Sequence, residues 1–510
     1  MKIKLILFIV LLLVVSVFAT VLAEGQIAKQ IVIGRPSDSI ELDPVTCISS
    51  NYNYWIFNLL FEGLVKTSDD GTAIEPCLAD SWDISEDGLT YTFHLKKGVK
   101  FSDGTPVTGE DWVWSFLRAR DTEESTWNFD IEALEDVTAP DDNTLILKFK
   151  ELRADNFTNL AMFNVTVQKK AYFESVSHEE YSQKPLGTGP YIIEEWKIGE
   201  YLLFKKNPYY HIEGLPKTEE IKFTVVADDN TRMLQLGAGQ IDIATYIPFN
   251  RMKELDSNPK LIAVGMPSTQ IQYIGFNHTK KPFDDPKVRL ALDYGTDKQE
   301  MVNFILFGYG EVATSYASKA GMYFNYGIKD RGYDVDKAKA LLAEAGYPDG
   351  FETEILVRSG NAVYEQMAVI LKEQWTKIGI TVNILTLETG IWYDTWFGLN
   401  YEVIFTQWTD DMIDPSQRAR YGFYPEKSEC WHTGWRNNRA IDLVKQGELE
   451  LDNAKRKQIY LELQQIAYDE IAILPILYSQ YPVAMSKNIE GFVQTPLGNY
   501  RFENLVKYLK

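Results

Sequence analysis

Two opposite charges, far apart in the chain, have the residue types best suited to ligand chemistry. Arg358 ends one strand-like run, and Asp411 closely follows another that ends at Trp408. A guanidinium grips a carboxylate through a planar fork, whereas a carboxylate accepts hydrogen bonds from an ammonium. If folding brings both side chains to one cleft, they can hold the two ends of a small zwitterion. The pair therefore predicts a binding site rather than a catalytic one.

The elements around this pair alternate between strand and helix. The apolar patterns predict strands at 352–358, 380–387 and 402–408, with helices at 362–378 and 392–397 between them. Such alternation predicts an α/β fold with a mixed or parallel sheet, and ligands bind at the carboxyl ends of strands in these folds. Arg358 and Asp411 both follow strands in this way, so we expect them at the same sheet edge.

Several residues near Arg358 and Asp411 can be interpreted in two ways. Trp408 either forms an apolar wall beside Asp411 or fills the core, and Trp392 lies in the helix predicted near Arg358. Asp410 competes with Asp411 for the same role, because Asp also favours turns and helix caps.

A polar segment near the N-terminus offers main-chain groups. The backbone of Ser49, Ser50 and Asn51 is a candidate to pair with an extended ligand, as an added strand would. Ordinary loop chemistry is the alternative for these three residues. Downstream, the apolar spacing predicts helices at 54–64 and 285–297.

Length and charge limit the function classes. The 510 residues exceed a single compact core, so two or three domains are expected. The formal net charge of −21 disfavours nucleic acids and anionic lipid surfaces as partners, because both would repel the chain.

The N-terminus is typical of an export signal. Lys2 and Lys4 precede an apolar run, and Val21-Leu22-Ala23 is a small-residue cleavage site. We expect residues 1–23 to be a cleaved signal peptide, with an uncleaved anchor as the alternative. No Cys follows the apolar run, so a lipoprotein anchor is not expected.

Motifs for catalysis and metal binding are missing from the sequence. There is no HExxH, CxxC or GxSxG, and the five His residues are scattered. Cys47, Cys77 and Cys430 allow at most one internal disulfide, whose pairing stays open. We expect no enzyme activity, no cofactor and no metal.

Longer motifs resemble a known family. Ala79–Pro106 (ADSWDISEDGLTYTFHLKKGVKFSDGTP) is similar to the signature of the extracytoplasmic solute-binding proteins of peptide and nickel ABC transporters. Four further segments resemble that family in the same order: LGTGPY (186–191), YIGFN (273–277), DDPKVRLAL (284–292) and YDVDKAKALLAEAGYPDGF (333–351).

The resemblance implies a fold and a domain plan. The fold would be bilobed and periplasmic-binding-protein-like (type II, cluster C), with mixed sheets and an extra third domain. Lobe 1, or domain I, would comprise residues 24–57, 187–277 and 490–510. Domain II would be 58–186, and lobe 2, or domain III, would be 278–489. Such proteins close over their ligand by hinge motion.

Within the family, the chain is most similar to dipeptide-binding proteins. Their Arg for the peptide carboxylate and Asp for the peptide ammonium match Arg358 and Asp411, 53 positions apart. Gly360 and Thr389 replace aromatic residues of that subgroup, which leaves ligand length and side-chain preference open. The resemblance implies a monomeric periplasmic protein whose partners are a peptide and the permease subunits of an ABC transporter.

Other functions remain as alternatives. The same scaffold could carry an oligosaccharide, a nickel chelate, haem or glutathione, but an opposed Arg and Asp favour peptides. A secreted hydrolase is a third class, and paired acids for glycoside hydrolysis would leave no motif in the sequence.

Overall fold

The computed structural model describes residues 26–47, 51–125, 127–128, 131–425 and 430–509, without the side chains of Asn51, Tyr54 and Cys430. The predicted signal peptide at 1–23 and the candidates Ser49 and Ser50 lie outside these residues. Among the helices that are described, none has the length and apolar character needed to cross a membrane.

Strands form most of the framework. In chain order they are β1 Gln30–Arg35, β2 Val65–Thr67, β3 Ile74–Pro76, β4 Ala79–Ile84, β5 Thr90–Leu95, β6 Leu134–Asp141, β7 Thr144–Phe149, β8 Tyr191–Lys197, β9 Tyr201–Lys206, β10 Glu220–Val225, β11 Ile243–Thr245, β12 Leu261–Met266, β13 Ile271–Phe276, β14 Glu311–Val312, β15 Glu352–Arg358, β16 Thr381–Leu387, β17 Val403–Trp408, β18 Leu474–Tyr478, β19 Tyr481–Ser486, β20 Ile489–Glu490, β21 Val493–Gln494, β22 Tyr500–Arg501 and β23 Val506–Lys507.

Helices pack against these strands. They are α1 Asn51–Tyr54, α2 Phe57–Leu60, α3 Gly109–Asp121, α4 Asn156–Asn159, α5 Lys170–Ser175, α6 His178–Gln183, α7 Asp229–Ala238, α8 Phe249–Ser257, α9 Pro286–Tyr294, α10 Lys298–Ile305, α11 Val335–Glu344, α12 Ala362–Thr376, α13 Thr389–Phe397, α14 Pro415–Phe423, α15 Asn438–Leu449 and α16 Asn453–Asp469.

Three larger sheets organise the molecule. Sheet A has seven strands in the order β12-β19-β11-β1-β10-β9-β8, and sheet B has six in the order β14-β18-β13-β17-β15-β16. Sheet C has four strands in the order β4-β5-β7-β6. Sheets A and B each contain both parallel and antiparallel pairs, so the prediction of a mixed α/β fold is confirmed.

The chain crosses between sheets A and B at two short segments. Strand β12 belongs to sheet A and β13 to sheet B, while β18 belongs to sheet B and β19 to sheet A. The backbone amide of Ser479 donates to the carbonyl of Gln270 at 3.2 Å, which ties the two crossings together. Both crossings come several residues before the predicted domain boundaries at 277/278 and 489/490.

Sheet B brings two strand ends to one edge. Strands β15 and β17 are parallel neighbours, with Ile355 opposite Val403 and Leu356 opposite Ile404. Their carboxyl ends therefore emerge side by side. β15 spans the residues predicted for it, and β17 begins one residue later than predicted.

The predicted helix at 54–64 is wrong. The structure has the short helices α1 and α2 instead, and Phe61 is extended at φ −126° and ψ 151°. The carbonyl of Leu60 accepts a hydrogen bond from the backbone of Gly189 at 2.9 Å, so the glycine-rich loop takes the acceptor that a longer helix would have used. A Cβ at Gly187 would lie 2.1 Å from the same carbonyl, which explains why only glycine fits.

The predicted helix at 285–297 is also interrupted. α9 ends before Gly295, and a new helix, α10, starts after Asp297. The Asp297 side chain accepts from the backbone amide of Glu300 and so caps the second helix.

Two buried ion pairs hold helix α14. Asp414 caps its start and accepts from Arg456 at 2.5 and 2.8 Å, with both side chains almost fully buried. Asp155, next to α4, accepts from Arg420 at 2.8 Å and from Ser416 at 2.9 Å. Asp155 follows sheet C closely in the chain, so this contact joins that part of the molecule to α14.

We predict that Asp414→Ala lowers the free energy of unfolding by about 3–5 kcal/mol, because it leaves the Arg456 guanidinium buried without its partner. Burial alone would raise the pKa of Asp414, but Arg456 and the helix-cap hydrogen bonds outweigh burial and lower that pKa. The stabilisation is therefore present above the ordinary carboxyl pKa and is lost as pH falls through the folded-state pKa.

Denaturant unfolding at neutral pH measures this loss. The matched control is Glu462→Ala, which removes an exposed pair with Arg439 and should cost less than about 1 kcal/mol. Equal losses in the two variants would contradict the assignment.

Candidate functional site

Arg358 lies at the end of β15 with its charge unpaired. Its guanidinium carbon lies 5.7 Å from the centroid of the Trp392 ring and 5.8 Å from that of Tyr364. No described residue accepts a hydrogen bond from this guanidinium or forms an ion pair with it. Two aromatic rings therefore hold the side chain in place while its hydrogen-bonding edge stays available for an anion.

Asp411 follows β17 at the same edge of sheet B. Burial, then the negative charge of Asp410, raise its pKa to about 7, although a hydrogen bond from Gln417 and the charge of Arg418 act in the other direction. No ion pair to Asp411 forms among the described residues. The carboxyl group is thus held in a place where a cation would relieve the cost of its charge.

Asp410 forms an ion pair and hydrogen bonds within the protein. Its Oδ1 accepts from Nε of Arg418 at 2.6 Å and from the Trp408 indole at 3.0 Å, and its backbone amide donates to Thr269. The Arg418 guanidinium also donates to two buried backbone carbonyls. The positive charge of Arg418 is therefore used by Asp410, which favours Asp411 as the acceptor for a ligand cation.

A chain of contacting rings links the surroundings of the two charges. We call these five rings the aromatic wall: Trp392, Trp396, His432, Tyr421 and Trp408. Successive centroids lie 5.1, 5.2, 5.8 and 4.6 Å apart, and the Tyr421 hydroxyl lies 2.9 Å from Nε2 of His432. Burial lowers the pKa of His432 to about 4, so this ring is neutral at pH 7 and adds no charge between the ends.

The two predicted tryptophans occupy opposite ends of this wall. Trp408 is partly exposed, donates to Asp410 and packs edge-on against Trp431 at 5.3 Å. Trp392 is 2% exposed and packs with Leu356 and Ile404 beneath Arg358. It supports the guanidinium from below, and its contact with a ligand stays a prediction.

The predicted main-chain contacts involve residues 49–51, and of these Ser49 and Ser50 lie outside the described residues. Their neighbours Cys47 and Asn51 are described. Asn51 begins α1, and Cys47 is the last described residue before the gap. Burial raises the pKa of the Cys47 thiol, and the charges of Asp43, Glu41 and Asp411 add to the rise. The charge of Asp411 therefore acts on Cys47, the last described residue before the gap.

A cavity of about 450 Å³ lies between sheets A and B, and we call it the inter-sheet cavity. Trp55, Tyr246 and Tyr481 line it from the side of sheet A, while Gln272 and Gln407 line it from sheet B. Tyr481 is close enough to Asp410 and Asp411 for both charges to raise its pKa, after the larger effect of burial. Asp411 itself does not line the cavity, although Gln407, four residues earlier in the chain, does.

Arg358 is not among the residues that line this cavity, although Asn361, which is hydrogen-bonded to its backbone, is. The backbone amide of Asn361 donates to the carbonyl of Arg358 at 3.3 Å. The side chain of Asn361 caps α12 by accepting from the amide of Tyr364 at 3.1 Å. The helix that supports Arg358 is thus fixed at the cavity wall.

Sequence reasoning missed the glutamines of this cavity. Gln272 and Gln407 are opposite each other in register, and Oε1 of Gln272 is buried with no hydrogen-bond partner among the residues that the structure describes. A polar residue inside an apolar strand, as in IQYIGF and VIFTQW, was the available signal. Cys47 and Tyr481 gave no comparable signal, because their roles follow from packing between distant segments.

A possible metal-ligand cluster lies elsewhere. Donor atoms of Glu41, Asp43 and His178 fall within 4.8 Å of one another. However, both oxygens of Asp43 accept from the guanidinium of Arg118, whose positive charge opposes a cation there. We therefore read this cluster as an ion-pair network.

The family model described as "Bacterial extracellular solute-binding proteins, family 5 Middle" matches residues 73–429. This chain belongs to that family. The family 5 chain is 30% identical over 471 residues to the dipeptide-binding protein of Pseudomonas aeruginosa, covering 87% of this chain and 88% of that one. It is 29% identical over 466 residues to heme-binding protein A of Haemophilus influenzae, covering 86% and 85%.

The fold also matches solved structures. An ABC transporter-associated periplasmic binding protein from Helicobacter pylori, in complex with the peptide STSA, superposes with a TM-score of 0.82 at 25% identity. The match covers 95% of the family 5 chain and 99% of that protein. The predicted periplasmic-binding-protein-like fold is therefore confirmed.

We predict that the ligand-free protein loses stability through Asp411 as pH rises. The folded-state pKa of about 7 lies above the ordinary value of 3.8, so the folded state holds this proton more tightly than the unfolded state does. The contribution is absent below about pH 4, becomes unfavourable through the window up to about pH 7, and is constant above it.

The test compares melting temperatures of the wild type and Asp411→Asn between pH 4 and pH 8. The variant should be more stable at pH 8, and the difference should vanish towards pH 4. Glu365→Asn, an exposed acid on α12, should show no such trend. A difference that is independent of pH would contradict the raised pKa.

Proposed function

We propose that this protein is the extracytoplasmic substrate-binding component of an ABC importer. In this proposal it captures di- or oligopeptides by their charged termini and delivers them to a membrane permease. One observation carries the proposal: an unpaired guanidinium and a carboxyl group without a cation follow neighbouring parallel strands at one sheet edge. The chain itself hydrolyses nothing.

Each terminus has a distinct partner in this proposal. Arg358 binds the peptide carboxylate through two parallel hydrogen bonds, and Asp411 binds the peptide ammonium. Truncating one member of such a desolvated contact costs about 2–5 kcal/mol. A micromolar ligand is bound by about 8.2 kcal/mol in total, so both contacts are needed for useful affinity.

The rest of the ligand meets less specific groups. Backbone of the 49–51 segment is the proposed partner of the peptide main chain, because every peptide shares that feature. The aromatic wall and the inter-sheet cavity leave room for side chains and water. This combination would accept many sequences while requiring free termini.

Binding is coupled to closure in this scheme. The two short crossings at 267–270 and 479–480 are suited to act as hinges, since few residues connect sheets A and B there. A ligand that contacts both sides shifts the equilibrium to the closed form, which docks on the permease. We further propose a periplasmic monomer exported by the signal at 1–23.

Haem is the main alternative cargo, because one relative is named a heme-binding protein and the aromatic wall would suit a flat ring. Haem carries two carboxylates and no ammonium, so it would leave Asp411 without a partner. Competition between haem and a dipeptide, measured in the wild type and in Asp411→Asn, separates the two cargoes.

We predict that Arg358→Ala and Asp411→Ala each abolish dipeptide binding in calorimetry, because each removes a terminus contact. Lys372→Ala and Glu365→Ala, exposed charges on α12, are the matched controls and should bind as the wild type does. N-acetylated and C-amidated dipeptides should bind far more weakly than free ones. Retained micromolar affinity in both site variants would rule out this site.

We also predict that dipeptide binding releases a proton near pH 7. The ligand ammonium needs Asp411 ionised, and below its pKa of about 7 this group must first lose its proton. The dissociation constant should therefore rise by about tenfold for each pH unit below 7 and level off above it. Calorimetry in two buffers of different ionisation enthalpy measures the released proton. An affinity that is constant from pH 5 to pH 8 would contradict this mechanism.

A further inference from the structure

A second cavity of about 220 Å³ lies on another part of the molecule, and we call it the Glu62 cavity. Its wall is formed by the residues after α2, the junction between β3 and β4, and the C-terminal strand β22. It shares no lining residue with the inter-sheet cavity. Its chemistry is therefore independent of Arg358 and Asp411.

Glu62 supplies a buried carboxyl group whose basic partner among the described residues is His211. The residue is 9% exposed, and its Oε1 lies 2.9 Å from Nε2 of His211, 3.5 Å from the Tyr210 hydroxyl and 3.9 Å from the Cys77 thiol. Its Oε2 is buried without a hydrogen-bond partner in the described part of the chain. All three neighbours therefore serve one oxygen and leave the other available.

The Cys77 thiol stays a donor. Burial raises the pKa of Cys77 to about 12, and the charge of Glu62 contributes to the rise. The thiol is therefore protonated at neutral pH and adds no second negative charge beside Glu62.

Arg501 supplies a positive charge in the same wall, and its ion pair with the exposed Asp69 is long. The residue is 7% exposed, and one terminal nitrogen donates to the carbonyl of Thr67 at 3.4 Å. Its Nε is buried with no hydrogen-bond partner among the described residues, and Oδ1 of the exposed Asp69 lies 3.9 Å away. Glu503 shares this space: burial raises its pKa, whereas Arg501 and Lys66 act to lower it.

The whole lining combines balanced charge with an apolar surface. The charged members are Lys66, Lys96 and Arg501 against Glu62, Asp69 and Glu503. The apolar members include Phe61, Met162, Phe163, Ile212, Leu215 and Val493. A matching ligand carries both charges, has no net charge, and has an apolar flank.

Water alone matches this wall less well. Each buried water needs about two to four polar partners. The apolar side of the cavity offers none. Buried polar atoms such as Oε2 of Glu62 and Nε of Arg501, which have no hydrogen-bond partner among the described residues, are unusual in folded proteins and can mark the place of a bound molecule.

We propose that the Glu62 cavity is a second ligand site, which binds a free α-amino acid with an aliphatic side chain. The ammonium binds Oε2 of Glu62, and the carboxylate binds Nε of Arg501. The aliphatic side chain packs against Phe61 and Met162.

The test uses L-leucine as the probe and calorimetry as the readout. It is carried out on the Arg358→Gln/Asp411→Asn double variant, in which the proposed peptide site has lost both charges. We expect one L-leucine to bind per chain. Adding Glu62→Gln or Arg501→Gln should weaken binding by roughly tenfold or more, since each removes a charged hydrogen bond. Adding Glu75→Gln, the same charge change at an exposed position on β3, should have no effect.

Two further measurements keep the outcome clear if a variant folds poorly. L-leucinamide and N-acetyl-L-leucine, which each lack one charge, should bind the double variant much more weakly than L-leucine does. A crystal structure of the wild type soaked in L-leucine should show the amino acid between Glu62 and Arg501. Absence of binding to the double variant, equal binding of the blocked compounds, or only water in the cavity would overturn the proposal. None of these results depends on whether the peptide site is correctly assigned.

Discussion

The account depends on the cost of leaving two opposite charges without partners at one edge of sheet B. Arg358 lies over two aromatic rings, and Asp411 is partly buried beside a like charge. A carboxylate that is partly removed from water and lies beside a like charge is unfavourable unless a cation pairs with it. A ligand with a carboxylate and an ammonium would supply both missing partners. The cleft is thus suited to a zwitterion, because no described residue forms an ion pair with Arg358 or Asp411.

Three other carboxylates in this region each form an ion pair with an arginine, in contrast to Asp411. Asp410 is held by Arg418, Asp414 by Arg456, and Asp155 by Arg420. These pairs fix the loop after β17 and the helix α14, so they hold the backbone that carries Asp411. Internal pairing therefore creates a rigid frame around one carboxyl group that has no cation of its own. The aromatic wall fixes the frame on the side of Arg358.

The ends of the strands could be predicted from the sequence. The contacts between residues of distant segments could not. β15 and β17 could be predicted because each is an apolar run that ends in polar residues. Since the two strands are parallel neighbours, Arg358 and Asp411 then follow at the same edge of the sheet. The resemblance favoured Asp411 over Asp410, but the residue pattern alone did not separate them, because the pairing of Asp410 depends on Arg418 of α14. The helix predicted at 54–64 failed for the same reason, since the competing hydrogen bond comes from Gly189. Contacts between distant segments leave no periodic signal.

The most direct test of the central claim is a crystal structure of the protein with a bound dipeptide. The account predicts the ligand carboxylate in two hydrogen bonds with Arg358 and the ligand ammonium within hydrogen-bond distance of Asp411. It also predicts that Asp410 keeps its pair with Arg418 in the complex. A dipeptide bound elsewhere, or bound with its termini facing other residues, would contradict the account.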